Sequence, residues 1–137
     1  MKLLLFTCLL LTGCGATNTK PEKQYDYEDV TRHIDWYDSF DQEENEYLVY
    51  YYSDTCSHCS RIKNDIIEYY FSNIETLYFV NTNQNSVFGK TKDLTGLSDI
   101  ESFYIFGTPF LIRFKDWKIS DYYPGSNSVL TYINSKK

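Results

Sequence analysis

The sequence changes period sharply around residue 53, and this junction constrains the fold more than any other feature. Tyr47-Leu48-Val49-Tyr50-Tyr51-Tyr52 is a short aromatic and β-branched run that reads as a strand. Ser53-Asp54-Thr55 breaks it. From Cys56 to about Phe71 the apolar positions Ile62, Ile66, Ile67 and Tyr70 follow helical spacing. The junction itself carries Cys56-Ser57-His58-Cys59. A helix N-terminus leaves backbone N–H groups free and carries positive potential. That potential lowers the pKa of a thiol placed there and raises its thiolate fraction near neutral pH. A second thiol one turn along can attack a mixed disulfide formed on the first. Cys56 is therefore the candidate attacking thiol and Cys59 the candidate resolving thiol.

The rest of the chain alternates in type. Glu28 to Phe40 is expected to form a first helix, with Val30, Ile34, Tyr37 and Phe40 on one face. Asp41 to Glu46 reads as an acidic loop, and Thr76 to Asn81 as a second strand. Thr82 to Leu97 is polar and carries no clear period. Ser98 to Phe106 is expected to be a short helix, with Ser98 and Glu101 in capping-box spacing. Phe110 to Lys115 and Lys118 to Tyr123 read as a hairpin turned at Asp116-Trp117. Pro124-Gly125 ends the last strand, and Ser126 is expected to cap a final helix through Asn134. Early alternation implies a parallel pair with crossover helices, and the late hairpin adds an antiparallel edge. The expected fold is α/β, a mixed central sheet of about four strands flanked by helices. A chain of 137 residues suits one domain, expected to be a monomer. The formal charge of −6 argues against nucleic-acid binding, which requires a basic surface.

The N-terminus reads as an export signal. Met1-Lys2 supplies a positive charge, and Leu3 to Leu11 is almost wholly apolar but too short to span a bilayer as a helix. Leu11-Thr12-Gly13-Cys14 follows and resembles the lipobox of bacterial lipoproteins. That resemblance implies cleavage before Cys14 and lipidation of its thiol. Residues 1–13 are then a signal peptide, 14–29 a lipid-anchored polar tether, and 30–137 the domain. A doubly or triply acylated terminus holds a protein stably at a membrane, here at its extracytoplasmic face. The cysteine count then simplifies. Of Cys8, Cys14, Cys56 and Cys59, the first leaves with the signal and the second is blocked, so two thiols remain in an oxidising compartment.

The domain resembles the thioredoxin superfamily over nearly its whole length. The resemblance rests on the strand Tyr47 to Tyr52, Cys56-Ser57-His58-Cys59, the strand Leu77 to Asn81, Gly107-Thr108-Pro109 before a strand, the Lys115-Asp116-Trp117-Lys118 hairpin and the late Gly125. It implies that Pro109 is cis and lies beside the dithiol, and that Thr108 pairs its backbone with a substrate segment. It implies a thiol–disulfide oxidoreductase without metal or organic cofactor. The partners expected are cysteine-containing exported proteins and an upstream electron donor or acceptor. Five positions depart from the family pattern. Ser57-His58 replaces Gly-Pro, Thr55 replaces Trp, Asn64 stands where a Pro is usual, and Tyr50 occupies the place of a buried acid. Asp54, Glu44 or water are the candidates to take that acid's role. His58, with Ser57, is the candidate for tuning the redox potential, since an imidazole beside the attacking sulfur stabilises its thiolate.

Three other readings compete, one of them an inert structural disulfide between Cys56 and Cys59. A zinc site needs about four ligands, and beyond the pair only His33 and His58 are suitable. A thioredoxin-like scaffold can also serve as an accessory or binding lipoprotein for assembly or secretion, with little redox turnover. The many tyrosines, and Phe110, are assigned to packing.

Overall fold

The computed structural model describes residues 19–137, together with Gly13 and Gly15. The candidate lipidation residue Cys14, and the candidate signal segment apart from Gly13, lie outside the described residues.

Four strands and two α-helices form the framework: β1 (Glu46–Tyr52), α1 (Ser57–Ser72), β2 (Leu77–Asn81), β3 (Phe110–Lys115), β4 (Lys118–Pro124) and α2 (Gly125–Asn134). The sheet order is β2-β1-β3-β4. β1 and β2 are parallel, joined by α1, and Tyr50 stands opposite Phe79. β3 runs antiparallel to β1, and β4 antiparallel to β3. This is the mixed four-stranded sheet expected from the alternation of elements.

β1 lies at the centre, so both its faces are covered. Leu48, Tyr50 and Tyr52 enter one core with Ile62, Ile66 and Ile67 of α1 and Val129 and Ile133 of α2. Tyr47, Val49 and Tyr51 enter the other, with Val80, Phe110, Ile112 and Phe114. The period-2 alternation of side chains produces this split, and it explains why the strand reads as an unbroken apolar run. Both α-helices pack on the first face and touch each other. The second face is covered by less regular chain, through Trp36, Val87, Leu94, Phe103 and Ile105.

Two expected helices are absent. Residues 28–40 form two short 3-10 turns, Tyr27–Asp29 and Trp36–Asp38, with extended chain between them. There the Phe79 N–H donates to the Arg32 carbonyl and the Ile34 N–H to the Phe79 carbonyl, which pairs the outer edge of β2. Unpaired strand edges are avoided in native sheets, and this demand overrides the helical spacing. The segment also crosses the edge of the sheet, with Val30 in the first core and Trp36 in the second. A single amphipathic helix presents one apolar face and cannot reach both. Tyr37, expected to point inward, is 67% exposed.

Residues 98–106 likewise form turns and no helix. Asp99, rather than Ser98, organises them: its carboxylate accepts from the Glu101 N–H at 3.0 Å and the Ser102 hydroxyl at 2.7 Å. Phe103 and Ile105 are buried with half-buried Tyr104 between them, and Ile105 bridges to Phe88. The packed structure also begins earlier than the boundary expected at Val30. Asn64 accepts from the Tyr25 N–H and donates to the Lys23 carbonyl, and Tyr27 is buried against Tyr52 with ring centroids 3.7 Å apart.

The hairpin turns as read from the sequence. Asp116 and Trp117 take φ of 50° and 56°, the left-handed pair that matches a two-residue turn to strand twist.

Candidate functional site

The site forms where β1 hands the chain to α1. Cys56 has extended backbone (φ −85°, ψ 108°) and is the N-cap of α1, which begins at Ser57. Its sulfur takes the role that a hydroxyl or carboxylate usually has at this position, accepting the Cys59 N–H at 3.1 Å. The free donors and positive potential of the helix end therefore act on Sγ itself. Cys56 and Cys59 are joined as a disulfide, with Cα atoms 5.2 Å apart. Cys56 is half-buried, while Cys59 is 1% exposed and sits in the first core. Of the two sulfurs, only that of Cys56 is open to a large partner.

Thr108 and Pro109 lie directly beside the pair. The Thr108–Pro109 peptide is cis, and the Thr108 carbonyl oxygen is 3.4 Å from Cys56 Sγ. Pro109 is buried and its carbonyl accepts from the Gly125 N–H at 2.8 Å, which ties the start of β3 to the start of α2. Gly125 has φ of +80°, a conformation that favours glycine. Thus 52 residues of sequence separate Cys56 from Thr108, and the sheet brings them into contact.

His58 and Ser57 are exposed in the first turn of α1. His58 lines a hollow of about 310 Å³ with Arg61, Thr108, Pro109 and Ser126. The imidazole thus borders the groove. Arg61 was not singled out from the sequence. Its place three residues after His58 on the same helix was the available signal, because i and i+3 side chains are neighbours. Its guanidinium donates to Ser126 Oγ, and Ser126 is buried. Ser126 was expected to cap α2; the N-cap is Pro124, without a side-chain hydrogen bond, and the Ser126 hydroxyl serves Arg61 instead.

The place of the usual buried acid is filled by a phenol. Tyr50 is fully buried, and its hydroxyl lies 3.4 Å from that of Tyr27, within the same core as Cys59. Burial pushes the Tyr27 phenol up to about 12 and drives Tyr50 higher still. Neither is a proton acceptor at neutral pH in that form. Glu44 is engaged elsewhere: its carboxylate accepts from the Tyr78 hydroxyl at 2.8 Å, at the end of β1 remote from Cys56. Asp54 lies on the dithiol side and accepts from the amides of Asn81 and Asn83.

Among the described residues, no group of three or more His, Cys, Asp or Glu gathers as a metal site. His33 is directed to the Tyr27 carbonyl at 2.8 Å. Phe110 is 1% exposed and belongs to the second core. No helix of the described residues is long and apolar enough to cross a membrane.

No protein-family model and no curated protein sequence matches the chain. Solved structures do match. Thioredoxin f2 of Chlamydomonas reinhardtii superposes with a TM-score of 0.51 at 14% identity, covering 77% of this chain and 94% of that one. Oxidised mitochondrial thioredoxin 3 of Saccharomyces cerevisiae superposes with a TM-score of 0.53 at 11% identity, covering 79% and 94%. At such identities the similarity is one of architecture: the chain has the thioredoxin-like α/β fold.

Proposed function

We propose that the protein is a thiol–disulfide oxidoreductase that exchanges disulfides with exported proteins through Cys56 and Cys59, tethered to the membrane at its extracytoplasmic face. The observation that carries the chemistry is the Cys59 N–H aimed at Cys56 Sγ from 3.1 Å. It stabilises negative charge on the one sulfur of the pair that is accessible.

The exchange runs as follows. The Cys56 thiolate attacks one sulfur of a partner disulfide; a mixed disulfide forms and the partner's other sulfur leaves as a thiolate. Cys59 then loses its proton and attacks Cys56 Sγ, closing the Cys56–Cys59 bond and releasing the second partner thiol. The partner gains two electrons and the protein loses two. The reverse sequence oxidises a partner dithiol. The cationic helix end favours the reduced form and therefore draws the potential upward, toward oxidation of partners. Measuring the reduction potential of the pair tests the direction: a value above the glutathione poise supports oxidase or isomerase work, and one well below it supports a reductase.

The location rests on the sequence. Lys2, the apolar run to Leu11 and the lipobox-like Leu11-Thr12-Gly13-Cys14 support export and lipidation, and Lys20 to Lys23 is exposed chain before the first packed residue, Tyr25. Metabolic labelling with a fatty acid, followed by membrane fractionation, tests it. Label on the wild type and none on Cys14→Ser is the expected result; release of an unlabelled wild type overturns it. An accessory role with little turnover is the second reading, supported by Tyr50, and no acid, in the core that holds Cys59.

A further inference from the structure

We propose that the groove beside the dithiol selects cysteine-containing segments that carry a carboxylate near the reacting cysteine, with Arg61 as the residue that determines this preference. The inference rests on the exchange reading above and goes further by naming the substrate chemistry.

Two hollows, of about 310 and about 280 Å³, share Thr108, Pro109, Pro124 and Gly125 and so form one groove along Thr108, whose carbonyl oxygen lies 3.4 Å from Cys56 Sγ. One end is bounded by His58, Arg61, Ser126 and Asn127; the other by Phe106 and Phe110. The chain has 19 acidic residues against 13 basic ones, yet no carboxylate lines either hollow. Asp54 and Asp35 lie in a separate hollow with Asn81 and Asn83. An acidic protein thus keeps its own carboxylates out of this groove and places an arginine in it.

Arg61 is held for such a contact. Its bond to buried Ser126 Oγ anchors one guanidinium nitrogen, and no ion pair to it forms among the described residues. A guanidinium has five N–H donors in a planar fork, and its preferred partner is a carboxylate taken bidentately. In an extended segment, residues two apart point the same way and lie about 6.6 Å apart. A cysteine presented to Cys56 beside Thr108 therefore sends its second neighbours along the groove, toward Arg61 on one side and half-buried Phe106 on the other.

The test uses the reduced full chain and homodimeric disulfides of short peptides with Asp, Asn or Lys placed two residues to both sides of the cysteine. The symmetric placement removes any dependence on chain direction. At low salt the Asp peptide is expected to react about fivefold faster than the Lys peptide, as a partly exposed ion pair allows. The difference should shrink at high ionic strength, and Arg61→Glu should invert the order. Equal rates for the three peptides, or an order unchanged in Arg61→Glu, overturns the proposal while leaving exchange intact. Absence of exchange with every peptide overturns the oxidoreductase reading instead. In that event, NMR titration with Ser-for-Cys versions of the peptides still decides the preference: larger shifts at Arg61 and Ser126 with the Asp peptide support it, and equal shifts overturn it.

Discussion

Tyr50 and Tyr27 meet hydroxyl to hydroxyl at 3.4 Å in the core that also contains Cys59. Tyr27 comes from the segment ahead of the sheet, so the residue that replaces a buried acid is closed over by chain that the sequence reading placed in the tether. The contact is long for a hydrogen bond between hydroxyls. A phenol whose ionisation is pushed upward by burial does not take a proton at neutral pH. Tyr50→Phe is therefore expected to leave the exchange rate within about twofold and to cost about 1 kcal/mol of stability or less. A tenfold loss of rate in stopped-flow exchange, with the fold intact, would assign the hydroxyl a direct part in deprotonating Cys59.

The division of labour between the sulfurs predicts two different mutant phenotypes. Cys56→Ser should lose all exchange, because the accessible nucleophile is gone. Cys59→Ser should retain attack and accumulate a mixed disulfide with the partner, visible by mass spectrometry as an adduct removed by dithiothreitol. A Cys56→Ser protein with full activity would eliminate the mechanism.

Alkaline pH should unfold the protein steeply. Burial pushes the phenols of Tyr27, Tyr52 and Tyr78 up to about 12, and those of Tyr47, Tyr51, Tyr69 and Tyr132 above that. Such groups keep their protons in the folded state at pH values where the unfolded chain has lost them. Their stabilising contribution is complete below the ordinary phenol pKa of about 10 and declines as pH rises from there toward 12 and beyond. Tyrosinate absorbance of these buried phenols should accordingly rise together with loss of circular dichroism. A single smooth titration with the fold intact would contradict this.

Glu75 joins the two helices from outside them. One carboxylate oxygen accepts from Tyr69 of α1 at 2.5 Å and Tyr132 of α2 at 2.6 Å. Glu75→Ala leaves two phenols without their charged acceptor, and each such bond is worth about 1.5 kcal/mol or more. The variant should lose about 3 kcal/mol or more in urea unfolding while exchange continues, since Glu75 precedes β2 at the end of the sheet away from Cys56. Unchanged unfolding would show that water replaces the carboxylate without loss.

The parts of the fold that the sequence disclosed are those whose causes are local. β1, β2, β3, β4 and α1 all lie within a residue of their expected positions, and α2 begins two residues earlier than expected. Each has its own run of β-branched and aromatic residues, or its own apolar stripe. The turn at Asp116-Trp117 and the cysteine pair at the head of α1 are local in the same sense. The segments misread, 28–40 and 98–106, took their conformation from distant partners. Phe79 imposed extended pairing on Arg32 and Ile34, and Phe88 bridged to Ile105.

The site divides along the same line. Cys56 and Cys59 were legible by themselves, because three residues of spacing at a helix start fix both their proximity and the favourable field of the helix end. Thr108-Pro109 followed only from resemblance, and Arg61 was not foreseen at all. The contact of the Cys56 sulfur with the Thr108 carbonyl, and of Arg61 with Ser126, span 52 and 65 residues. What the sequence by itself determined is the dithiol and the elements that carry it, since hydrophobic period and helix-end electrostatics act over a few residues. What only the tertiary structure decided is the groove beside the dithiol, since its walls come from α1, β3 and β4–α2, and only closure of the sheet order β2-β1-β3-β4 brings them together.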